Sequence, residues 1–153
     1  MTLEFASGSV EDTLRIAEKI GNRIRGGETI ELRSDIGGGK TTLVRGLARG
    51  AGSSDQVASP TFTISRVYTC HDDLRMNHFD FYRLEDPGLM KSELGESVSD
   101  PTSITVVEWA GIVEDVLPRD RLVIEIATTG EELRHIKLWA GESHSHLLGG
   151  IQQ

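Results

Sequence analysis

The stretch that most constrains this chain is Ile30-Glu-Leu-Arg-Ser-Asp-Ile-Gly-Gly-Gly-Lys-Thr-Thr-Leu-Val-Arg45. Thr29 to Leu32 reads as a strand. Gly37, Gly38 and Gly39 follow in succession, then Lys40, Thr41 and Thr42, and a helical pattern opens with Leu43, Val44, Leu47 and Ala48. Strand, glycine loop, Lys-Thr and helix is the order a phosphate-binding loop needs. Glycines allow backbone N–H groups to converge on a polyphosphate without side-chain clash, and the helix N-terminus adds partial positive charge there. Lys40 is the cation aimed at the terminal phosphates, and the Thr41 hydroxyl is a ligand suited to Mg²⁺. In the pattern G-x-x-x-x-G-K-[ST] the first glycine falls on Ser34, so the chain leaves the strand by a slightly different turn.

Such a loop needs a sheet behind it, and the remaining pattern supplies one. Thr2 to Phe5 is a first strand. Ser7 and Ser9 offer caps for a helix over roughly 10–25, with Leu14, Ala17, Ile20 and Ile24 as its buried stripe and Gly26-Gly27 as its end. Ile64 to Cys70 and Arg75 to Phe81 alternate as the arms of an antiparallel hairpin around His71-Asp-Asp, and Ile104 to Trp109 is an apolar strand ending in an acid. A short helix around Ile112–Leu117 stops at Pro118, and Leu122–Ala127 pairs back with Leu133–Trp139. Asp86-Pro87 opens a short helix, and 88–101 is polar, part helix and part loop. Residues 141–153 show no periodicity and read as a flexible tail, His144 and His146 included, after a domain spanning 1–140.

Several residues invite chemistry. Glu108, at the end of an apolar strand, is the candidate for the second metal contact that phosphate-loop enzymes use. Asp80, near the end of another strand, either faces a metal or a water or is a solvent-facing carboxylate. Ser59-Pro-Thr-Phe-Thr63 is either an ordinary loop feeding a strand or a segment that brings the Thr61 hydroxyl to the outermost phosphate, as switch loops do. His78 reads as a packed or hydrogen-bonded strand residue rather than a metal ligand, since no second His or Cys sits at ligand spacing. Trp109 reads as core or rim packing.

Composition excludes some partners. The net charge of −8 over 153 residues disfavours unaided binding to nucleic acid, and nucleotide capture must then rest on a local positive site. Cys70 is the single cysteine, which fits a reducing cytoplasm. No apolar run approaches a membrane span, and a signal-peptide core is not expected at the N-terminus.

Taken together, Ser34 to Thr42, Ser59 to Thr63, His78 to Leu84 and Glu108-Trp109 resemble the TsaE (YjeE) family, small bacterial ATPases of tRNA threonylcarbamoyladenosine synthesis. That family reads Gly-Asp-Leu-Gly-Ala-Gly-Lys-Thr-Thr, Ser-Pro-Thr-Tyr/Phe-Thr, His-Phe-Asp-x-Tyr-Arg-Leu and an acid-Trp pair, in this order. The similarity spans roughly residues 10–140. The resemblance implies an α/β phosphate-loop nucleotide-binding fold, a parallel core sheet with antiparallel strands at its edges and flanking helices. It implies ATP and Mg²⁺ as cofactors. Thr41 and Glu108 are then the metal ligands, Gly37, Gly38, Gly39, Lys40, Thr41 and Thr42 the nucleotide cradle, and Asp80 and Thr61 neighbours of the γ-phosphate. It implies action in the cytoplasm with TsaB and TsaD on adenosine 37 of ANN-decoding tRNAs, the tRNA being met only through that complex. One departure is that the late Gly-Arg-Glu-Ala-Arg of some relatives is Gly130-Glu-Glu-Leu-Arg134 here, which loses an arginine.

Two other classes remain open. A small-molecule or nucleotide kinase needs an acceptor pocket and an arginine-rich lid, whereas Arg45, Arg66, Arg75 and Arg83 are scattered. An ATP-sensing adaptor would bind nucleotide and barely turn it over. A guanine-specific switch is disfavoured because no Asn-Lys-x-Asp stretch exists.

Overall fold

The computed structural model describes residues 1–34, 39–58, 65–82 and 86–151. Gly37, Gly38, Thr61 and the rest of Ser59–Thr63 lie outside the described residues, as do Arg83 and Leu84.

Seven strands form one sheet in the order β1-β7-β6-β2-β5-β4-β3. They are β1 (Thr2–Ser7), β2 (Thr29–Ser34), β3 (Ser65–Thr69), β4 (Arg75–Asp80), β5 (Ser103–Glu108), β6 (Leu122–Thr128) and β7 (Arg134–Ala140). The central strands β6, β2, β5 and β4 run parallel; β7 runs antiparallel to β6 and β1 antiparallel to β7 at one edge, and β3 runs antiparallel to β4 at the other. This is the expected mixed sheet. Every residue of β5 is buried, which is why its sequence is a continuous apolar run rather than an alternation.

Helices α1 (Val10–Gly21) and α2 (Lys40–Gly50) pack against each other on one face, over Ile30, Leu32, Met76, Ile104 and Val106. Helix α3 (Leu89–Ser99) and the segment after β5 cover the other face, over Phe79, Phe81 and Val107. The Ser9 hydroxyl caps α1 by accepting the Asp12 N–H at 3.1 Å, and the Asp12 carboxylate accepts the Gly8 N–H at 3.1 Å.

Three local readings are corrected. Helix α1 stops at Gly21, short of Gly26-Gly27, because the chain turns down there: the buried Glu28 carboxylate accepts the N–H groups of Arg25 at 2.8 Å and Gly26 at 2.7 Å. The short helix read at 112–117 is a 3₁₀ turn over Ala110–Val113. The tail is packed: Glu142–Leu148 forms 3₁₀ turns, and Leu147, Leu148 and Ile151 join the core of the α1/α2 face.

His144 is the latch of that segment. Its Nε2 accepts the Thr29 N–H at 2.9 Å, and its Nδ1 lies 3.3 Å from Asp120 Oδ1. An Nε2 that accepts carries no proton, so the bond needs a neutral ring. Burial pushes the His144 pKa down, with Asp120 opposing. A lowered histidine pKa means the unfolded chain binds more protons, so the contribution is whole above the ordinary value of 6.5 and lost as pH falls through it toward the native value. Wild-type protein should therefore lose melting temperature between pH 7.5 and pH 5.5 more steeply than His144→Gln, whose amide oxygen accepts from Thr29 without titrating. Parallel melting curves of the two proteins would refute the latch.

Candidate functional site

Period two along β4 sends Met76, His78 and Asp80 to the α1/α2 face of the sheet and Phe79 to the other. Asp80 pairs in register with Glu108 on β5, and Glu108 with Leu32 on β2. The two carboxylates thus lie side by side at the carboxyl ends of parallel strands, where open α/β sheets meet their ligands. They share that end and face with the start of α2.

Gly39 occupies the cap position at φ 100°, and among the described residues no side chain caps α2 and its first turn holds no acid. Leading N–H groups of such a helix suit an anion. Lys40 Nζ donates to Ser34 O at 3.5 Å and lies 3.8 Å from Glu108 Oε1 and 4.5 Å from the centre of the Trp109 ring. Trp109 reaches that position through a left-handed backbone, φ 58°, which turns the chain sharply out of β5. Its ring also meets Tyr82 at 4.8 Å. The rim reading of Trp109 holds, and the indole in addition covers the lysine.

Glu108 is 4% exposed. Besides Lys40 it has His78, whose Nε2–H donates to Oε2 at 2.5 Å. Asp80 is half-buried and accepts the Tyr82 N–H at 2.9 Å. Burial pushes its carboxyl above the usual range; the Tyr82 N–H opposes this, and the Glu108 charge beside it adds to the rise. Thr41 and Thr42 are half-buried in the first turn of α2. The structure therefore brings together Gly39, Lys40, Thr41, Thr42, Asp80 and Glu108.

The opposite face of β2 steadies the segment after β5. Buried Arg121 donates to Glu31 Oε1 at 2.9 Å, to Glu114 Oε1 at 2.6 Å and to Pro118 O at 2.8 Å. Burial alone would raise the Glu31 carboxyl; hydrogen bonds from Arg33 and Arg121 outweigh it and hold the group below its usual value. A cleft of about 390 Å³ opens between this network and Lys40, Trp109 and Gly111.

Sequence reasoning gave His78 as a packed or hydrogen-bonded strand residue, which it is, but not its partner, and it did not place Arg134. His78 was legible as a side chain on the same face as Asp80, two residues apart, but its bond to Glu108 crosses to the neighbouring strand. Arg134 begins β7 beside the phosphate-loop candidate: an ideal Cβ on Gly39 would lie 3.8 Å from its Nε. The start of β7 thus brings Arg134 to the N-terminus of α2.

The donor set suits a hard cation. The Glu108 carboxylate and the Thr41 hydroxyl offer oxygen donors, and among the described residues there is no group of three or more His, Cys, Asp or Glu that could hold a metal ion. Mg²⁺ is ordinarily held in this way, by one or two protein groups together with substrate phosphates.

Fold and site together define a mixed α/β protein with a parallel core, whose helix N-terminus, lysine and strand-end carboxylates converge at one sheet end. The family model described as "Threonylcarbamoyl adenosine biosynthesis protein TsaE" matches residues 7–136. The tRNA threonylcarbamoyladenosine biosynthesis protein TsaE of Bacillus subtilis is 35% identical over 139 residues, covering 90% of this chain and 85% of that protein. Its namesake from Streptomyces coelicolor is 36% identical over 146 residues, covering 88% and 98%. The crystal structure of Bacillus subtilis YdiB matches with a TM-score of 0.76 at 31% identity, covering 96% of this chain and 91% of that one. The chain belongs to the TsaE family. Among the described residues, no helix is long and apolar enough to cross a membrane.

Proposed function

We propose that this protein is a Mg²⁺-dependent ATPase of the phosphate-loop class that supports threonylcarbamoyl modification of adenosine 37 in ANN-decoding tRNAs, acting in the cytoplasm with TsaB and TsaD. The observation that carries the reading is the approach of Lys40 Nζ to Glu108 Oε1, 3.8 Å, at the start of α2. A cation for phosphate oxygens and a buried carboxylate for a metal stand there side by side.

In this reading the N–H groups of Gly39 and the first turn of α2, with Lys40, hold the β- and γ-phosphates. Thr41 and Glu108 would hold Mg²⁺, which would supply neutralisation of phosphate charge there. Asp80 orients the water whose oxygen bonds to the γ-phosphorus while the bond to the β–γ bridging oxygen breaks, giving ADP and phosphate, one water proton staying on the phosphate and the other passing to solvent. Trp109, with Tyr82 packed on it, covers Lys40 and limits water around it. With net charge −8, tRNA is met through the partner proteins rather than by this chain alone.

The deciding experiment is phosphate release from ATP, alone and with TsaB and TsaD, for wild type, Glu108→Gln and Asp80→Asn. Wild type should release phosphate to water. Glu108→Gln should need roughly tenfold more Mg²⁺, since an amide is a poorer ligand than a carboxylate for a hard cation. Asp80→Asn should bind ATP with nearly normal affinity and turn over at least about tenfold more slowly, because its contribution falls on the way to the transition state. Phosphate appearing on a small acceptor would establish a kinase instead. Modification supported by bound but unhydrolysed ATP would establish an adaptor.

A further inference from the structure

His78 has no part in the chemistry above, yet it occupies the centre of the site's scaffold. It is 1% exposed, between the apolar Met76 and Val106 on one side and the carboxylates Asp80 and Glu108 at the strand ends. A buried imidazole among apolar side chains is costly unless it is hydrogen-bonded on both sides. Here both sides are engaged. Nε2–H donates to Glu108 Oε2 at 2.5 Å. Nδ1 lies 3.4 Å from the hydroxyl of Tyr68, which is itself buried and lies 3.0 Å from Ala58 O, so the one hydroxyl proton has an acceptor on either side.

Resting on the reading of Glu108 as a Mg²⁺ ligand, we infer that His78 is a positioning residue that fixes the Glu108 carboxylate for the metal. A free glutamate side chain rotates about three bonds. The His78 bond takes one oxygen, Oε2, and holds the carboxylate in one orientation, leaving Oε1 turned to the Lys40 side of the site, 3.8 Å from Nζ. The imidazole cannot drift, because β4 pairs with β5 from Arg75 to Asp80 and Tyr68 on β3 backs its other nitrogen. The run Ala58–Tyr68–His78–Glu108–Lys40 therefore sets the polar groups of β3, β4, β5 and the start of α2 in a single line, each within 2.5–3.8 Å of the next. Groups that orient metal ligands in this way commonly account for ten- to hundredfold in metal affinity.

The test uses His78→Leu, which keeps volume and removes both contacts, and His78→Gln, whose amide N–H reaches the Nε2 position. ATP affinity is measured by calorimetry at a series of Mg²⁺ concentrations and in EDTA, beside the Mg²⁺ dependence of phosphate release and a melting curve. In His78→Leu the Mg²⁺ needed for half-maximal binding should rise about tenfold while affinity in EDTA stays within about twofold, and His78→Gln should recover to within about threefold of wild type. Wild-type Mg²⁺ dependence in His78→Leu overturns the inference, as does an equal loss with and without Mg²⁺, which marks general damage to the fold. If His78→Leu does not fold, His78→Asn replaces it, since its shorter amide cannot reach Glu108. A tenfold gap between Asn and Gln then supports the inference, and equal behaviour overturns it. Wild-type protein that binds ATP without regard to Mg²⁺ overturns the metal reading of Glu108 and this inference together. Wild-type Mg²⁺ dependence that His78 variants leave unchanged overturns this inference alone.

Discussion

Lys40→Ala should reduce ATP hydrolysis to background and weaken nucleotide binding about ten- to hundredfold, the range that 1.5–3 kcal/mol for a charge-assisted hydrogen bond implies. Lys40 is the cation that the described residues place beside both the start of α2 and Glu108. Arg134 approaches from the other side but is tied to carbonyls of its own turn, Gly130, Glu131 and Leu133, at 2.9–3.3 Å. It therefore cannot substitute without breaking that turn. The change should spare the fold, because Lys40 is at the first position of α2 and its side chain rests on Ser34 O, Glu108 and the Trp109 ring rather than in either apolar core. Lys40→Arg should not rescue hydrolysis, since a planar guanidinium is a poor substitute for a compact ammonium in a close-fitting loop. Calorimetric titration with ATP and phosphate release, with a melting curve to confirm folding, decide the matter. Turnover like wild type in Lys40→Ala would remove the basis of the proposed function.

Much of the fold was legible because its signals are local. Alternation marked β1, β3, β4, β6 and β7 to within a residue or two, and the Ser9 cap and the Gly39-Lys40 boundary marked the helix starts. What escaped depended on distant partners. The packing of 141–151 left no periodic trace, because 3₁₀ turns repeat every three residues and the segment's polar groups are satisfied elsewhere: His144 by Thr29, and His146 by Glu28 at 2.8 Å. The end of α1 was misplaced because Glu28, seven residues beyond it, shapes the descent by accepting two backbone N–H groups.

The candidate site divides in the same way. Lys40, Thr41 and Glu108 follow from a motif and a strand end, both written in consecutive residues. That Asp80 adjoins Glu108 depends on the pairing of β4 with β5, between positions 28 apart in sequence. That His78 holds Glu108 depends on the same pairing and a diagonal reach across it. An alternating strand announces which side chains share a face; it does not announce which strand lies next to it.

Position of α2 is as demanding as its sequence, and glycine provides the sharpest test of it. Helices α1 and α2 approach so closely that a Cβ on Gly46 would lie 2.5 Å from Ala17 Cβ and 2.7 Å from Leu14 O, inside any normal contact. One on Gly50 would meet Glu18 O, and one on Gly21 would meet Leu47 O, all backbone atoms that cannot step aside. In α3, by contrast, a Cβ on Gly95 would find only Val116 Cγ1 at 3.8 Å, an ordinary contact. Both Gly46 and Gly95 are interior helix positions, so alanine brings each about 1 kcal/mol of helix propensity. At Gly95 nothing opposes that gain, and Gly95→Ala should melt higher. At Gly46 the added methyl must push α1 from α2, an overpacking cost of about 1–3 kcal/mol or more in a close-packed core. Since Leu14 O is backbone, the upper end of that range applies, and Gly46→Ala should be destabilised by about 2 kcal/mol net, near 4–8 °C in melting temperature for a chain of this size. The two alanines thus carry opposite signs for the same chemical change. Displacement of α2 also moves Lys40 and Thr41 relative to Glu108, so Gly46→Ala should bind Mg²⁺–ATP more weakly at a temperature where it is still folded, whereas Gly95→Ala should not. Melting curves and ATP titrations of both variants test this. A Gly46→Ala protein that melts higher than wild type and binds ATP normally would show that the helix pair has room to spare, and that the site does not depend on its spacing.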